Sequence, residues 1–367
     1  MGWICAACRR PSLNLSFDAE RGFGTNVSRN VRYRDETMIS FLQKKSLRRQ
    51  SSEFAKFNSA YCHSECDMAI SHSKEGKRSQ MPIDPDTLRQ WPIADIEHSY
   101  TVRDTMLYAL GLGCGADPMD ESQLQFVYEG RLRALPSMAV VLGYPGFWIS
   151  DPGTGVDWKK VLHGEQGFEV FKPLPTAGTV IGRSRVTGLF DKGKDKGAVL
   201  VSERDVIDKS TGDLLCRLTS TTMLRGDGGF GGPSGPLPAP HALPDRAPDQ
   251  AASIATLPQV ALIYRLSGDY NPLHADPAVA RSGGFEKPIL HGLCTFGVVC
   301  RALLDMVCGN DPSKLRKMQA RFSAPVFPGE TIVTELWKEA GSAVSFRAKV
   351  KQRDLVVINN GRAEVAA

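Results

Sequence analysis

The chain has 367 residues, of which 42% are hydrophobic, and this is enough to bury the core of two ordinary domains or of one large domain. No stretch approaches the roughly 18 apolar residues of a membrane-spanning helix, and the N-terminal MGWICAACRR is too short for a secretory signal. The net charge of +5 belongs to residues 1–80, which hold 14 Lys and Arg against 8 Asp and Glu, whereas the rest holds 31 against 32. A near-neutral body argues against a nucleic-acid partner.

Residues 1–80 differ from the rest in composition, because they are rich in Ser, Arg and Lys and carry only one short predicted helix, Asp35–Leu47. We predict a weakly ordered extension, with the native functional protein beginning near Met81. Cys5-x-x-Cys8 and Cys62-x-x-x-Cys66 could be considered for zinc. Their loose spacing and 53-residue separation favour unpaired thiols.

A Gly- and Pro-rich stretch, residues 226–246, is predicted to link two halves of similar size, 81–225 and 247–367. Apolar periodicity predicts a helix and then mainly strands in the first half: helix Thr101–Leu110 and strands Ala139–Leu142, Phe168–Phe171, Thr179–Leu189, Ala198–Asp208 and Leu214–Leu224. In the second half, helices are predicted before strands: Ala255–Leu266, Pro277–Arg281 and His291–Val307, then Lys317–Phe322, Thr331–Glu339, Ala343–Gln352 and Leu355–Val365.

Two local matches indicate that the halves are duplicates. PLPTAGTV from Pro173 matches PVFPGETI from Pro325 at an offset of 152 residues, and YALGLG from Tyr108 matches YRLSGD from Tyr264 at an offset of 156. Similar offsets at two places favour an internal repeat. Only the second half then carries an Asp and a His in the aligned loop.

That loop reads LSGDYNPLH from Leu266 and crowds three polar side chains around a proline. Asp269 and His274 can converge on one water molecule, from which they can take a proton while delivering one elsewhere. Asn271 lies between them and can fix the loop or the ligand. Taken singly, an Asp or Asn before a proline is usually turn chemistry.

A second motif, PILHGLCT from Pro288, begins an apolar helix, so the amide N–H groups of Gly292 and its neighbours project from a helix N-terminus. Such donors suit a developing oxyanion. Its occurrence about fifteen residues after the first motif favours a catalytic interpretation of both.

The stretch from Tyr264 to Leu304 resembles the MaoC-like or hydratase 2 family of (R)-specific enoyl-CoA hydratases. The resemblance extends more loosely over residues 81–367, in the two-repeat form found in peroxisomal multifunctional enzyme type 2. It implies an α+β double hot-dog fold, in which an antiparallel sheet wraps a long central helix in each repeat. It also implies a dyad of Asp269 and His274 that adds water to a 2-enoyl thioester, with Gly292 N–H stabilising the thioester oxygen.

The resemblance also leads to expectations about the substrate, the cofactors, the location and the assembly of the protein. The substrate would be an acyl-CoA, no metal or redox cofactor would be needed, and the protein would be a cytoplasmic monomer or homodimer, since Glu-Val-Ala-Ala does not resemble a peroxisomal C-terminus. A thioesterase on the same fold and a non-catalytic acyl-thioester-binding protein stay open as alternatives. The residues predicted to contact substrate are Tyr264, His291, Arg281, Lys287 and Arg321, with Met106, Leu110 and Phe147 in an acyl-chain wall of the first repeat.

Overall fold

Ten antiparallel strands form one continuous sheet in the computed structural model, which describes residues 83–237 and 239–366. The predictions for residues 1–80, including helix Asp35–Leu47 and the four cysteines, lie outside the described residues. In chain order the strands are β1 (Ile96–Tyr100), β2 (Val161–Val170), β3 (Gly178–Asp191), β4 (Ala198–Asp208), β5 (Leu214–Leu224), β6 (Gln250–Ala255), β7 (Leu315–Phe322), β8 (Thr331–Lys338), β9 (Ala343–Val350) and β10 (Leu355–Val365).

Six α-helices accompany the sheet, and within the described ranges none has the length and apolarity needed to cross a membrane. They are α1 (Pro85–Arg89), α2 (Val102–Gly111), α3 (Glu121–Leu124), α4 (Val260–Tyr264), α5 (Pro277–Ser282) and α6 (Gly292–Cys308). Short 3₁₀ segments include Pro136–Val141, Arg265–Ser267 and Pro272–His274.

The strand order confirms the internal duplication. It runs β1-β3-β4-β5-β2 in the first repeat and, read from the other edge, β6-β8-β9-β10-β7 in the second. The two repeats meet where β2 pairs with β7, and Gln166 lies opposite Ala320 in that pair. The two halves therefore share one sheet, as a double hot-dog fold requires.

Helix α6 fills the second repeat, since 11 of its 17 residues are buried, among them Phe296, Leu303 and Leu304. Its counterpart in the first repeat is the 3₁₀ segment Pro136–Val141, all of whose residues are buried. The predicted strand Ala139–Leu142 is therefore wrong, because this apolar run packs on all sides without joining the sheet. The long central helix that the resemblance implied for each repeat is present only in the second repeat of the described chain.

The predicted ends of the other strands and helices agree with the structure to different degrees. Strands β4, β5 and β10 begin and end where predicted, whereas the edge strands β1 and β6 were not predicted. The predicted helix Ala255–Leu266 starts only at Val260, because residues up to Ala255 pair with β8 as strand β6. Its last residues, from Arg265, continue as a 3₁₀ turn.

The Gly-rich start of the linker is held by hydrogen bonds to the first repeat. The carboxylate of Asp191, at the end of β3, accepts N–H bonds from Gly193, Gly229 and Gly231 at 2.7–2.8 Å. These bonds hold the pKa of Asp191 below its usual value. Residues 226–246 contain no helix or strand among the residues described, yet the start of the segment has a fixed course.

Candidate active site

The LSGDYNPLH stretch forms two consecutive 3₁₀ turns after α4, and Gly268 separates them. Gly268 has φ 119°, a backbone conformation that L side chains rarely adopt. Pro272 opens the second turn, where its fixed φ and missing N–H are tolerated. This backbone places Asp269 before the turn and His274 at its end.

His274 is held as a neutral base. Its side chain is buried, and Nδ1 lies 2.8 Å from the carbonyl oxygen of Ile289. A carbonyl can only accept, so Nδ1 carries the hydrogen and the lone pair is on Nε2. Burial lowers the pKa of His274, against weaker opposing effects of that hydrogen bond and of Asp269. The ring is therefore ready to accept a proton at neutral pH.

Asp269 lies close enough to His274 to share one water molecule with it. One carboxylate oxygen of Asp269 and one ring nitrogen of each of His274 and His291 lie within 4.8 Å of one another. Two hydrogen bonds of about 2.8 Å that meet on one water at about the tetrahedral angle span about 4.6 Å. The separation thus suits a water held between an acid and an imidazole.

The same three side chains have the composition of a metal site, but their orientation does not favour one. The rings of His274 and His291 lie face to face, with centroids 3.8 Å apart and planes 31° apart. Imidazole lone pairs lie in the ring plane, so those of stacked rings run side by side and do not converge on one ion. The absence of a metal stays a prediction.

His291 and Tyr264 lie behind the dyad. Each is 1% exposed, and their ring centroids are 5.1 Å apart. His291 Nε2 donates to the backbone carbonyl of Asp269 at 3.1 Å. Neither side chain has appreciable accessible surface in this structure, and their substrate contacts stay predictions.

Gly292 is the first residue of α6, with His291 as the N-cap. Its amide N–H has no acceptor among the described residues, as expected at a helix N-terminus. A Cβ built on Gly292 would meet the ring of Phe322 at 3.4 Å. The free N–H and the partial positive charge of the helix end are the features that an oxyanion site uses.

The first repeat contributes residues that sequence reasoning missed. His163 of β2 is exposed and packs edge-on against Phe322 at 4.9 Å between ring centroids. Tyr144 is 41% exposed, and Arg204 lies over its ring at 5.4 Å. Asp269 is near enough to raise the pKa of Tyr144, although burial is the larger cause. In the sequence His163 lies in the stretch LHGEQ, which does not distinguish a site residue from an ordinary histidine of a strand.

The predicted polar contacts differ in how much of each side chain is already engaged. Asn271 accepts the N–H of Leu273 at 3.0 Å through Oδ1, which is turn chemistry, and leaves its amide donors exposed. Lys287 lies 4.9 Å from the ring centre of Phe327. Arg281 is exposed on α5 and has no ion-pair partner in the described part of the chain. None of these contacts brings the three residues to the dyad, and their roles stay predictions.

The three residues of the predicted acyl-chain wall also differ in their surroundings. Phe147 is 48% exposed and packs edge-on against Trp158 at 6.2 Å, so it presents apolar surface. Leu110 lies elsewhere, beside a small cavity that it shares with Leu257 and Val298. Met106 is half-buried on α2.

A cavity of about 230 Å³ is lined mainly by residues of the first repeat, together with Pro312 and Ser313 of the second, and includes no residue of the dyad. Its first-repeat lining includes residues 132–134, Pro136 and residues 173–176. At the offset of 156 residues, Asp269 and His274 fall opposite Gly113 and Pro118, which do not line this cavity.

Each of the two repeats matches a known protein family. Residues 240–360 match the MaoC like domain, and residues 98–226 match the MFE-2 hydratase 2 N-terminal domain. The chain is 41% identical over 291 residues to a probable enoyl-CoA hydratase 2 of Dictyostelium discoideum, covering 77% of this chain and 96% of that protein. It is 39% identical over 296 residues to the peroxisomal enoyl-CoA hydratase 2 of Arabidopsis thaliana, covering 76% and 95%.

A solved structure agrees with the sequence matches. The crystal structure of a MaoC-like dehydratase from Phytophthora capsici has a TM-score of 0.68 and 38% identity, and the match covers 77% of this chain and 98% of that one. With a matching model for each repeat and relatives near 40% identity over almost their full length, this chain belongs to the MaoC-like hydratase 2 family, in its two-repeat form.

Proposed function

We propose that the protein is an (R)-specific 2-enoyl-CoA hydratase, which in reverse is a (3R)-hydroxyacyl-CoA dehydratase. The observation that carries the proposal is the spacing of Asp269 and His274, which suits a shared water, together with the N–H of Gly292, which has no acceptor among the described residues. Two relatives with about 40% identity over nearly their whole length are named enoyl-CoA hydratase 2. These observations together support a hydro-lyase.

In the proposed reaction the water lies between Asp269 and Nε2 of His274. It loses one proton to the dyad as its oxygen bonds to C3 of the trans-2-enoyl thioester, and a proton is delivered to C2. Negative charge develops on the thioester oxygen during this step, and the N–H of Gly292 with the N-terminus of α6 stabilises it. Water adds across the double bond with no net change in oxidation state, so the step requires no redox cofactor, and the absence of a metal stays a prediction.

The substrate would be a soluble acyl-CoA, with a fatty acyl or a steroid side chain. Exposed aromatic groups of the first repeat, including Tyr144 and Phe147, support a wide acyl site, as does the missing central helix there. A cytoplasmic location and a monomeric or homodimeric state remain predictions. The Arabidopsis relative is named peroxisomal, which makes a peroxisome the alternative location to test by fluorescent tagging.

The test is a spectrophotometric hydration assay on crotonyl-, decenoyl- and steroid side-chain enoyl-CoA, with Asp269→Ala and His274→Ala as comparisons. Loss of the enoyl absorbance is expected for the unchanged protein, with a drop of about 100-fold or more in each variant. Free thiol is followed in parallel. Release of CoA would identify a thioesterase, and tight binding with an unchanged enoyl chromophore would identify a binding protein, so either result would contradict the proposal.

A further inference from the structure

We infer that His291 is a positioning residue, which sets the geometry of the dyad by binding the Asp269 loop through one ring nitrogen and stacking on His274 through its face. The inference rests on the proposed hydratase function, since it concerns the same site. Its new content is that a residue expected to touch substrate acts only through Asp269, His274 and Gly292.

The first support is the hydrogen bond of 3.1 Å from His291 Nε2 to the carbonyl oxygen of Asp269. The two residues are 22 positions apart in the chain. His291 is also the N-cap of α6, immediately before Gly292. One residue thereby connects the backbone that carries the acid to the helix end that would bind the oxyanion. A shift of His291 would change the distance between these two parts of the site.

The second support is the contact with His274. The rings stack with centroids 3.8 Å apart, while Nδ1 of His274 is bound to the Ile289 carbonyl. One hydrogen bond fixes a point of the His274 ring but allows rotation about it. The stacked face of His291 removes that freedom, so Nε2 of His274 keeps one direction.

The third support is that His291 stays neutral in this position. Burial lowers its pKa to about 4, with a further lowering by His274, against opposing effects of Asp269. Arg265, in the turn before the motif, also disfavours the charged form. A neutral His291 does not repel the imidazolium that forms on His274 when the water gives up its proton. A permanent cation at this place would work against catalysis.

The fourth support is the tautomer. Because Nε2 donates to a carbonyl, Nδ1 of neutral His291 carries a lone pair, and it is buried without a donor in the described structure. The hydroxyl of Tyr264 is likewise buried without a partner, on the neighbouring ring. No hydrogen bond joins the two groups in the described structure, so the tautomer of His291 is set by the bond from Nε2 to the Asp269 carbonyl.

The proposal predicts a specific pattern in kinetics. His291→Phe keeps a stackable ring of similar size but has no donor, and His291→Gln keeps an N–H near the position of Nε2. We expect His291→Phe to lower kcat on decenoyl-CoA by 30-fold or more with KM within about 3-fold, and His291→Gln to recover at least a third of that loss on a logarithmic scale. His241→Phe, at a histidine bound to Ser345 outside the site, is the matched control and should keep wild-type turnover.

A double-mutant cycle separates positioning from general structural support. In a His274→Ala background there is no catalytic imidazole left to orient and only the effect through Asp269 and Gly292 remains, so adding His291→Phe should lower the residual rate by at least about 3-fold less than it lowers the wild-type rate. Full additivity would contradict the proposal, as would a wild-type kcat in His291→Phe. A rise in KM without loss of kcat would show that His291 binds substrate directly.

Two further measurements distinguish a variant that does not fold from a wild-type protein that lacks the proposed activity. Each variant is first compared with wild type by thermal unfolding, and if His291→Phe does not fold, the cycle is repeated with His291→Leu and decided by the same criteria. If neither folds, His291→Gln is compared with His291→Asn, whose amide is one methylene too short to match the position of Nε2, and equal kcat in the two overturns the proposal. Should the unchanged protein hydrate none of the enoyl-CoA substrates, it is the proposed function that fails.

Discussion

Arg321 on β7 donates two hydrogen bonds to a single carboxylate oxygen of Glu165 on β2, from Nε at 2.9 Å and from Nη2 at 2.5 Å. The two residues are direct partners in the strand pair that joins the repeats. Both side chains are more than one-third exposed, at 43% and 38%, so the pair adds little to stability. Its main consequence is that the Arg321 charge is already balanced by a carboxylate and is poorly placed to bind a phosphate.

This relationship predicts different effects for the three basic residues that were assigned to CoA. Arg321→Ala should change KM for decenoyl-CoA by less than about 2-fold, because the guanidinium is held by Glu165. Arg281 has no ion-pair partner in the described part of the chain, and Lys287 has only a long, exposed contact of 3.8 Å with Glu286. Arg281→Ala and Lys287→Ala should therefore each raise KM several-fold, as expected for a lost phosphate contact. Steady-state kinetics at low ionic strength provide the measurement. An equal rise in KM for Arg321→Ala would mean that the guanidinium leaves Glu165 when CoA binds.

The oxyanion role of Gly292 can be tested at the backbone. Proline is well tolerated at the first position of a helix, and it removes only the N–H, which has no acceptor in the part of the chain that the structure describes. The preceding residue, His291, has φ −55° and ψ 132°, which is compatible with a following proline. We expect Gly292→Pro to lower kcat by about 100- to 1,000-fold while the melting temperature changes little.

Gly292→Ala is the control for that experiment, since it keeps the N–H and adds only a methyl group. The added Cβ would meet the Phe322 ring at 3.4 Å, close to ordinary contact. Turnover within about 5-fold of wild type is therefore expected. If alanine and proline were equally harmful, the loss would come from steric crowding against Phe322, and the N–H would have no special role.

The acyl-chain wall leads to a prediction about chain length. Phe147 presents apolar surface next to Trp158, whereas Leu110 borders a separate small cavity with Leu257 and Val298. Phe147→Ala should therefore reduce kcat/KM on decenoyl-CoA by about 10-fold and on crotonyl-CoA by much less, because only the longer chain reaches the ring. Leu110→Ala should reduce neither selectively. A chain-length effect confined to Leu110→Ala would place the acyl chain along α2.

The sequence predicted most of the sheet because strands β4, β5 and β10 have long Val-, Ile- and Thr-rich patterns of their own. The edge strands β1 and β6 were missed for a physical reason. Their sequences, IEHSY and QAASIA, are short and have no alternation of polar and apolar residues, and they become strands only because β3 and β8 offer free edges. The 3₁₀ segment Pro136–Val141 was mistaken for a strand because complete burial produces the same apolar run in either conformation.

The site shows the same division between local and non-local information. Asp269 and His274 were placed together from the sequence, because five residues around Pro272 can form only a tight turn. The stacking of His291 on His274 was not, since these residues lie on separate segments that meet through packing of α6. Likewise His163 reaches Phe322 across the β2–β7 pair, and no sequence pattern in a single chain reports such a contact.

The buried histidines also predict how stability and activity change with pH. The pKa of His291 is lowered to about 4 and that of His274 is lowered as well, in both cases chiefly by burial. In the unfolded chain each histidine titrates near 6.5. Below that pH the unfolded chain binds protons that the folded chain does not, so the free energy of unfolding should fall as pH decreases from about 6.5 toward 4.

For His291 alone the expected loss between pH 7 and pH 5 is on the order of 1–2 kcal/mol, and urea unfolding at several pH values measures it. His291→Gln should make the slope shallower, because glutamine does not titrate. The acid limb of kcat/KM should lie below pH 6.5, since the free enzyme needs neutral His274 and its pKa is lowered. A limb above pH 6.5 would show that the folded protein stabilises the charged imidazole, and it would remove His274 from the role of base at neutral pH.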